Sequence, residues 1–198
     1  EKLEKKFLLT IDDGYYSFYE NAWPYLKKNK IPFIIFISTE AIGKKGYMNW
    51  KEIKEIEEYE FVTIGNHSHS HDYLVNYSFD KFQKDIKKSI EIFDANLGYN
   101  PIFFSYPFGE WDLRQKKFIS KYFEFAFGQH SGVIDLNKDR YELPRFPINE
   151  KYGDLERFSF LINLFPFEYK NILPEDKYIL KNQNPPETIV EFFNDQKN

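Results

Sequence analysis

The chain of 198 residues contains no cysteine, so it forms neither a disulfide framework nor a zinc site with thiolate ligands. It also lacks any apolar run near the ~18 residues that a membrane span requires. Its 27 lysines and arginines are spread along the chain, and the net charge is −4. A nucleic-acid partner is therefore not expected, and no pattern indicates an oligomeric state.

Aromatic residues, in contrast, are abundant. They make up 20% of the chain, with 22 phenylalanines and 15 tyrosines. Many of these rings must be buried. Others are expected to line a surface groove, because flat rings suit sugar faces and other amphipathic ligands.

Strand and helix patterns alternate along the chain. Apolar, strand-like segments occupy residues 6–11, 32–38, 61–65, 102–106 and 124–127. The clearest helix pattern begins at Ser78 and ends at Gly98. Such alternation predicts parallel strands with helices outside, in a barrel or a doubly wound sheet. Both architectures place functional residues at the carboxyl ends of the strands.

The chain has a different character after residue 165. Periodicity is weak there, and proline and asparagine are more frequent, as in NQNPPE at residues 182–187. We therefore predict a catalytic domain at residues 1–165 and a C-terminal extension or linker at 166–198.

Two adjacent carboxylates, Asp12 and Asp13, follow the first predicted strand. Adjacent side chains at a strand end point in different directions, so one can bind a metal ion while the other stays free as a base. Gly14 allows a sharp turn directly afterwards. The alternative is an ordinary turn, since aspartate and glycine are common turn formers.

Three of the four histidines lie within five residues, after the third predicted strand. The spacing of His67 and His71 lets both imidazoles reach one ion, whereas His69 is expected to point away. One carboxylate and two imidazoles leave room for a bound water, as in catalytic metal sites. Such a water becomes a nucleophile near neutral pH. Zn²⁺ is the expected ion, with Co²⁺, Ni²⁺ and Mn²⁺ as alternatives.

Three ordered motifs resemble those of the polysaccharide deacetylases of carbohydrate esterase family 4, the NodB homology domain. TIDDG at Thr10–Gly14 is similar to T-F-D-D-G, and the segment with His67, Ser68 and His71 is similar to H-[ST]-x-x-H. The third motif, R-x-P-Y-G, corresponds to SYPFG at Ser105–Gly109. The resemblance covers roughly residues 6–148.

The resemblance implies a distorted (β/α) barrel with parallel strands and fewer than eight regular units. It also implies metal-dependent removal of N- or O-acetyl groups from an acetylated polysaccharide. Asp12 would be the general base, and the metal ligands would be Asp13, His67 and His71. Ser68 would brace the histidine loop.

The third motif is expected to contribute substrate contacts. The backbone N–H of Phe108 would help to hold the oxyanion, with Pro107 and Gly109 beside it. Tyr106 and Phe108 would form walls of the acetyl pocket, and Trp111 would stack on a sugar ring.

Two departures from the family pattern lead to further predictions. The arginine of the third motif, which orients the base, is replaced by Ser105, and Arg145 is the candidate substitute. The alternative for Arg145 is an ordinary surface ion pair. The late L-x-x-H motif that supplies the general acid is missing, and His130 is the candidate in its place.

Two other functions stay open at this level. The same scaffold could hydrolyse a non-sugar amide, or the chain could be a non-catalytic carbohydrate-binding relative. No signal peptide is visible, but the chain opens at Glu1 without methionine. We interpret it as a processed or trimmed chain and expect an extracytoplasmic location, with the cytoplasm as the alternative.

Overall fold

A computed structural model of the protein describes residues 6–134, 139–166, 171–173 and 187–191. The chain divides into two compact units, Glu1–Asn163 and Leu164–Asn198. In the second unit, two short strands, Asn171–Leu173 and Ile189–Glu191, pair antiparallel. Most of the predicted extension, including residues 182–186 of NQNPPE, lies outside the described residues. The predicted boundary after residue 165 stays a prediction.

The first unit is built on a parallel sheet of five strands. In chain order these are β1 (Leu9–Ile11), β2 (Phe33–Ile37), β3 (Val62–Asn66), β4 (Phe103–Ser105) and β5 (Phe125–Phe127). Their order in the sheet is the same as their order in the chain. The sheet curls into a partial barrel, so the expected distorted (β/α) barrel with fewer than eight units is confirmed.

Strand β2 is buried on both faces. Phe33, Ile35 and Ile37 join the core between the sheet and the helices. Ile34 and Phe36 point the other way, into a smaller cluster inside the curl. This arrangement explains the uninterrupted apolar run, because a strand covered on both sides has no polar face.

In the described part of the chain, five α-helices accompany the strands. They are α1 (Trp23–Asn29), α2 (Trp50–Glu57), α3 (Phe79–Leu97), α4 (Leu113–Ile119) and α5 (Leu155–Leu161). Side chains cap three of these helices: Asn49 and Asp112 form capping boxes, and Ser78 begins α3 as predicted. Gly98 ends α3 at a φ of 82°. Among the described helices, none has the length and apolar character needed to cross a bilayer.

Two irregular segments lie next to these elements. A π-helical turn, Phe18–Ala22, precedes α1, so Pro24 falls in the first turn of α1. A proline is tolerated there because its missing N–H has no partner to lose. A rim segment, residues 143–148, contains Arg145 and begins with Leu143, which pairs in parallel with Phe127 of β5. It thus extends the sheet beyond its last strand.

Candidate metal centre and active site

The aspartate pair lies at the carboxyl end of β1. Asp13 and Gly14 both adopt positive φ values, 77° and 79°. A Cβ atom on Gly14 would lie 2.9 Å from the Cδ1 atom of Ile37, so both conformation and space require glycine here. The resulting turn directs the two carboxylates into the mouth of the barrel.

The histidine loop leaves β3 with two further non-glycine residues at positive φ, Ser68 at 70° and His71 at 55°. Hydrogen bonds hold this backbone in place. The hydroxyl of Ser68 accepts from the His71 N–H at 3.1 Å. The Ser68 N–H in turn donates to the side chain of Asn66 at 2.8 Å. Ser68 therefore lies where a brace for the loop is needed.

Helix α3 supports the same loop from behind. Both carboxylate oxygens of Asp85 accept backbone hydrogen bonds, from His69 at 2.9 Å and from Ser70 at 3.1 Å. The Asn66 amide donates to the hydroxyl of Ser89 at 2.9 Å. Asp85 and Ser89 are buried, so the polar side chains of α3 fix the loop instead of facing water.

Asp13, His67 and His71 converge on one point. One ligand atom from each lies within 4.8 Å of the others. The Oδ1 atom of Asp13 is 3.0 Å from Nε2 of His71 and 3.4 Å from Nε2 of His67. His69 lies apart from this group, with its Nδ1 atom 2.9 Å from the hydroxyl of Thr39.

The cluster has the features of a cation site. Asp13 Oδ1 and His67 Nε2 are buried, and neither makes a hydrogen bond with the described residues. Buried polar atoms without partners are costly, and a divalent ion at their centre would satisfy both. One carboxylate and two imidazoles are also a donor set that suits zinc. The residues present therefore fit a metal ion.

The protonation state of His67 favours this use, whereas that of His71 opposes it. His67 Nδ1 is 2.7 Å from the carbonyl oxygen of Ser105. A carbonyl only accepts, so Nδ1 carries the proton and Nε2 presents its lone pair to the cluster. Burial lowers the pKa of His67. Burial also opposes the charged form of His71, but the Asp13 carboxylate outweighs it and raises the His71 pKa. A cation would therefore compete with a proton at His71.

Arg145 contacts Asp12 through both terminal nitrogen atoms of its guanidinium group. Its Nη1 and Nη2 atoms donate to Oδ1 and Oδ2 of Asp12 at 2.7 and 2.8 Å. Nη2 also donates to the Ser105 hydroxyl at 2.9 Å, and Nε donates to the Gly128 carbonyl at 2.8 Å. Only 11% of the Arg145 side chain is exposed. Ser105 of the third motif thus accepts a hydrogen bond from Arg145, which lies in the rim segment.

These contacts control the charge of Asp12. Burial alone would raise the pKa of the Asp12 carboxyl, but His67 and Arg145 together outweigh burial and lower the pKa. Asp12 is therefore ionised at neutral pH and held in a fixed orientation beside the cluster of Asp13, His67 and His71.

The third motif forms a tight 3₁₀ turn, Pro107–Gly109, after β4. Phe108 has a φ of 57°, and its ring centre lies 5.0 Å from that of His71. A Cβ atom on Gly109 would lie 2.5 Å from the backbone nitrogen of Gln129. Glycine at this position therefore lets the turn pack directly against the segment that follows β5.

Other predicted site residues occupy different positions. The Tyr106 ring, predicted to be a wall of the acetyl pocket, is 1% exposed and packs in the core with Phe104. Its hydroxyl donates to the Tyr141 carbonyl at 3.1 Å. Trp111 packs partly buried against the same core, so its predicted stacking on a sugar stays a prediction. Both rings therefore make the contacts of core residues.

The segment after β5 reaches the site through several groups. The Gln129 amide nitrogen lies 3.5 Å from Asp12 Oδ2. The His130 carbonyl accepts a hydrogen bond from the backbone N–H of Arg145 at 3.0 Å. The exposed His130 side chain lies beside Gly128, where a Cβ would be 2.8 Å from its Nδ1 atom. Its predicted role as general acid stays a prediction.

Sequence reasoning missed Asp85 and Gln129. Asp85 had a recognisable signal, because it lies on the apolar stripe of α3 between Phe82 and Ile86, where a carboxylate needs a buried partner. Gln129 had none. Its neighbour His130 was the more obvious chemical group, and the direction of each side chain in a short loop depends on packing.

Comparison with known proteins agrees with this geometry. A family model described as polysaccharide deacetylase matches residues 1–122. The chain is 26% identical to YxkH of Bacillus subtilis over 147 residues, which are 74% of this chain and 52% of that protein. It is 27% identical to the poly-β-1,6-N-acetyl-D-glucosamine N-deacetylase of Staphylococcus aureus over 156 residues, 72% of this chain and 54% of that protein. The chain spans about half the length of these relatives.

A solved structure shows the same fold. The deacetylase PplD of Streptococcus pyogenes, in complex with acetate, superposes with a TM-score of 0.74 at 22% identity. The match covers 83% of this chain and 74% of that one. At this identity the likeness supports the architecture alone.

Proposed function

Since the chain belongs to the polysaccharide deacetylase family, we propose that it removes N- or O-acetyl groups from a polysaccharide with the help of a divalent metal ion. The observation that carries the proposal is the Asp13, His67 and His71 cluster beside an ionised Asp12. Metal-assisted hydrolysis of an acyl group uses such a pairing of a cation site with an adjacent base.

We propose Zn²⁺ as the ion, since two imidazoles and a carboxylate suit it, with Co²⁺, Ni²⁺ or Mn²⁺ as substitutes. The bound ion would supply a Lewis acid that polarises the acetyl carbonyl and lowers the pKa of a water. The Ser105 carbonyl keeps the proton of His67 on Nδ1, which leaves Nε2 free as a ligand.

The protein groups would handle the protons and the developing charge. Asp12 would accept a proton from the attacking water while Arg145 holds both of its oxygens. The backbone N–H of Phe108 would donate to the carbonyl oxygen as its charge develops. When the bond to the sugar nitrogen or oxygen breaks, the leaving group needs a proton, and His130 is the proposed donor.

We propose an amino-sugar polymer as the substrate. The support is the staphylococcal relative, which is named as a poly-β-1,6-N-acetyl-D-glucosamine N-deacetylase. A polymer of this kind would be met outside the cytoplasm, at the cell surface or in the periplasm. The extracytoplasmic location predicted from the sequence is therefore part of the same proposal.

The test is acetate release from N- and O-acetylated oligosaccharides, before and after chelation. We expect release by the metal-loaded protein, loss of release after chelation and recovery with Zn²⁺. Asp12→Asn should lower turnover at least 10²-fold while metal binding, measured by titration calorimetry, is retained.

Other outcomes would point elsewhere. Turnover that survives complete metal removal would contradict the metal-assisted mechanism. Release from simple amides but from no acetylated sugar would identify a non-sugar amide hydrolase. Tight glycan binding without any acetate release would identify a non-catalytic carbohydrate-binding relative.

A further inference from the structure

Two pairs of stacked aromatic rings lie next to the metal cluster. The rings of Tyr15 and Tyr47 have centres 4.9 Å apart. The rings of Tyr73 and Phe108 have centres 3.9 Å apart and are parallel within 1°. Neither pair belongs to one of the three core clusters of the fold.

Contacts connect both pairs to the proposed metal ligands. The Tyr15 hydroxyl lies beside the Asp13 carboxylate and the Tyr47 hydroxyl. At the other end, the Phe108 ring contacts His71, whose Nε2 atom is 3.0 Å from Asp13. These contacts therefore place one aromatic pair beside Asp13 and the other beside His71.

Three of the four rings keep a large surface open to solvent. Tyr15 is 45% exposed, Tyr73 is 50% exposed and Phe108 is 39% exposed. Phe108 covers one face of Tyr73, yet half of Tyr73 stays accessible. Exposed flat rings with hydroxyl groups at their edges suit the apolar faces and hydroxyl rims of pyranose rings.

The backbone of Phe108 gives a second reason to assign a function to its pair. A phenylalanine at a φ of 57° is strained, and such strain persists at functional sites where the surrounding structure holds it. The strain here positions a ring that is more than one-third exposed, so core packing does not account for it.

We infer that Tyr15–Tyr47 and Tyr73–Phe108 are two sugar-stacking subsites, one beside Asp13 and one beside His71, that bind an extended polysaccharide chain. The inference rests on the proposed function and adds to it a substrate of several units. An acetylated sugar within the polysaccharide lies over the proposed metal ligands, and the neighbouring sugars of the polysaccharide stack on the two aromatic pairs. A single sugar gains neither contact.

The test compares kcat/KM for acetate release from β-1,6-linked N-acetylglucosamine oligomers of one and five units. We expect wild type to prefer the pentamer. Tyr73→Ala and Tyr15→Ala should each lower the pentamer-to-monomer ratio about tenfold, the effect of one lost ring contact. Tyr15→Phe, which keeps the ring, should retain the preference. Tyr25→Ala, at a tyrosine on α1 that is 64% exposed, is the matched control.

The Zn²⁺ affinity of Tyr73→Ala and the pentamer-to-monomer ratios of all variants give the outcomes that would overturn the inference. Zn²⁺ affinity should be unchanged in Tyr73→Ala, and a drop in affinity with an unchanged ratio would show that Tyr73 only shields His71, which overturns the inference. An active wild type with equal ratios in all variants would overturn it while leaving the proposed function intact.

Wild type that releases no acetate would instead refute the proposed function. Pentamer binding to the metal-loaded protein by calorimetry then tests the subsites separately. Affinity weakened about tenfold in Tyr73→Ala supports them, and equal affinity rules them out.

Discussion

At the scale of single residues, the site is built on backbone conformations that its sequence does not favour. Asp13, Ser68, His71 and Phe108 all have positive φ values. Such conformations cost roughly 1 kcal/mol or more for residues other than glycine. They persist because the hydrogen bonds and close packing around them leave no alternative, so local sequence preference does not reveal them.

Arg145 offers the clearest prediction at this scale. Arg145→Ala removes a two-point contact with Asp12, so the base loses both its orientation and a neighbouring positive charge. We expect kcat/KM to fall about 10²-fold. The Asp12 pKa is lowered in the wild type, so at saturating Zn²⁺, which outcompetes the proton at His71, the loss of activity in acid lies at low pH. Without Arg145 that acid limb should move to higher pH, as a pH–rate profile would show.

Two variants sharpen this measurement. Arg145→Lys keeps the positive charge but not the two-point contact with Asp12. Compared with Arg145→Ala, it should bring the pH at which activity is lost in acid close to the wild-type value, while kcat/KM stays low. Arg114→Ala removes an arginine whose side chain is 71% exposed in an ion pair with Asp112 and should leave both unchanged. An unaltered profile in Arg145→Ala would show that the Asp12 contact has no role in turnover.

At the scale of secondary structure elements, α3 acts as the support of the histidine loop. Asp85→Ala removes both acceptors for the His69 and Ser70 N–H groups. Zn²⁺ affinity should fall 10- to 100-fold, as is typical when the groups behind metal ligands are lost. Asp94→Ala removes an exposed carboxylate from the same helix and is the control. Equal Zn²⁺ affinity in the two variants, by competition titration, would contradict the supporting role.

Element patterns were the most predictable part of the molecule. The apolar run of β2 and the stripe and caps of α3 are local signals, and the structure confirms them. Strand β1 is shorter than predicted, Leu9–Ile11 instead of residues 6–11. Phe7 and Leu8 are more than half exposed, so the apolar character at its start does not reflect pairing.

The candidate site was predictable where its residues are close in sequence. Asp12 and Asp13 are neighbours, and His67 and His71 share one loop. The contact between Arg145 and Asp12 joins residues 133 positions apart. Only the curl of the sheet brings them together, and local periodicity does not encode that curl. This is why the sequence alone does not distinguish an Arg145 that orients Asp12 from an Arg145 in an ordinary surface ion pair.

At the scale of the whole molecule, the metal cluster connects two strands of the barrel. An ion that binds only the folded state stabilises it, by about 2.7 kcal/mol at 100 times its Kd. For a domain of this size, we expect Zn²⁺ to raise the Tm by roughly 5–10 °C in scanning calorimetry.

Asp13→Asn is the matched control for this shift. Asparagine tolerates positive φ, so the variant keeps the turn but loses the ligand charge, and its Tm should respond much less to Zn²⁺. A wild-type Tm that is independent of added Zn²⁺ would argue against the Asp13, His67 and His71 site.

The distance along the chain between Asp12 and Arg145 also bears on biosynthesis. All three proposed metal ligands leave the ribosome within the first 71 residues, whereas the arginine that holds the base follows 74 residues after the last of them. A nascent or truncated chain that stops before Arg145 therefore lacks an oriented base, whatever metal it binds. Under the proposed function, full hydrolytic activity is therefore reserved for chains synthesised through Arg145.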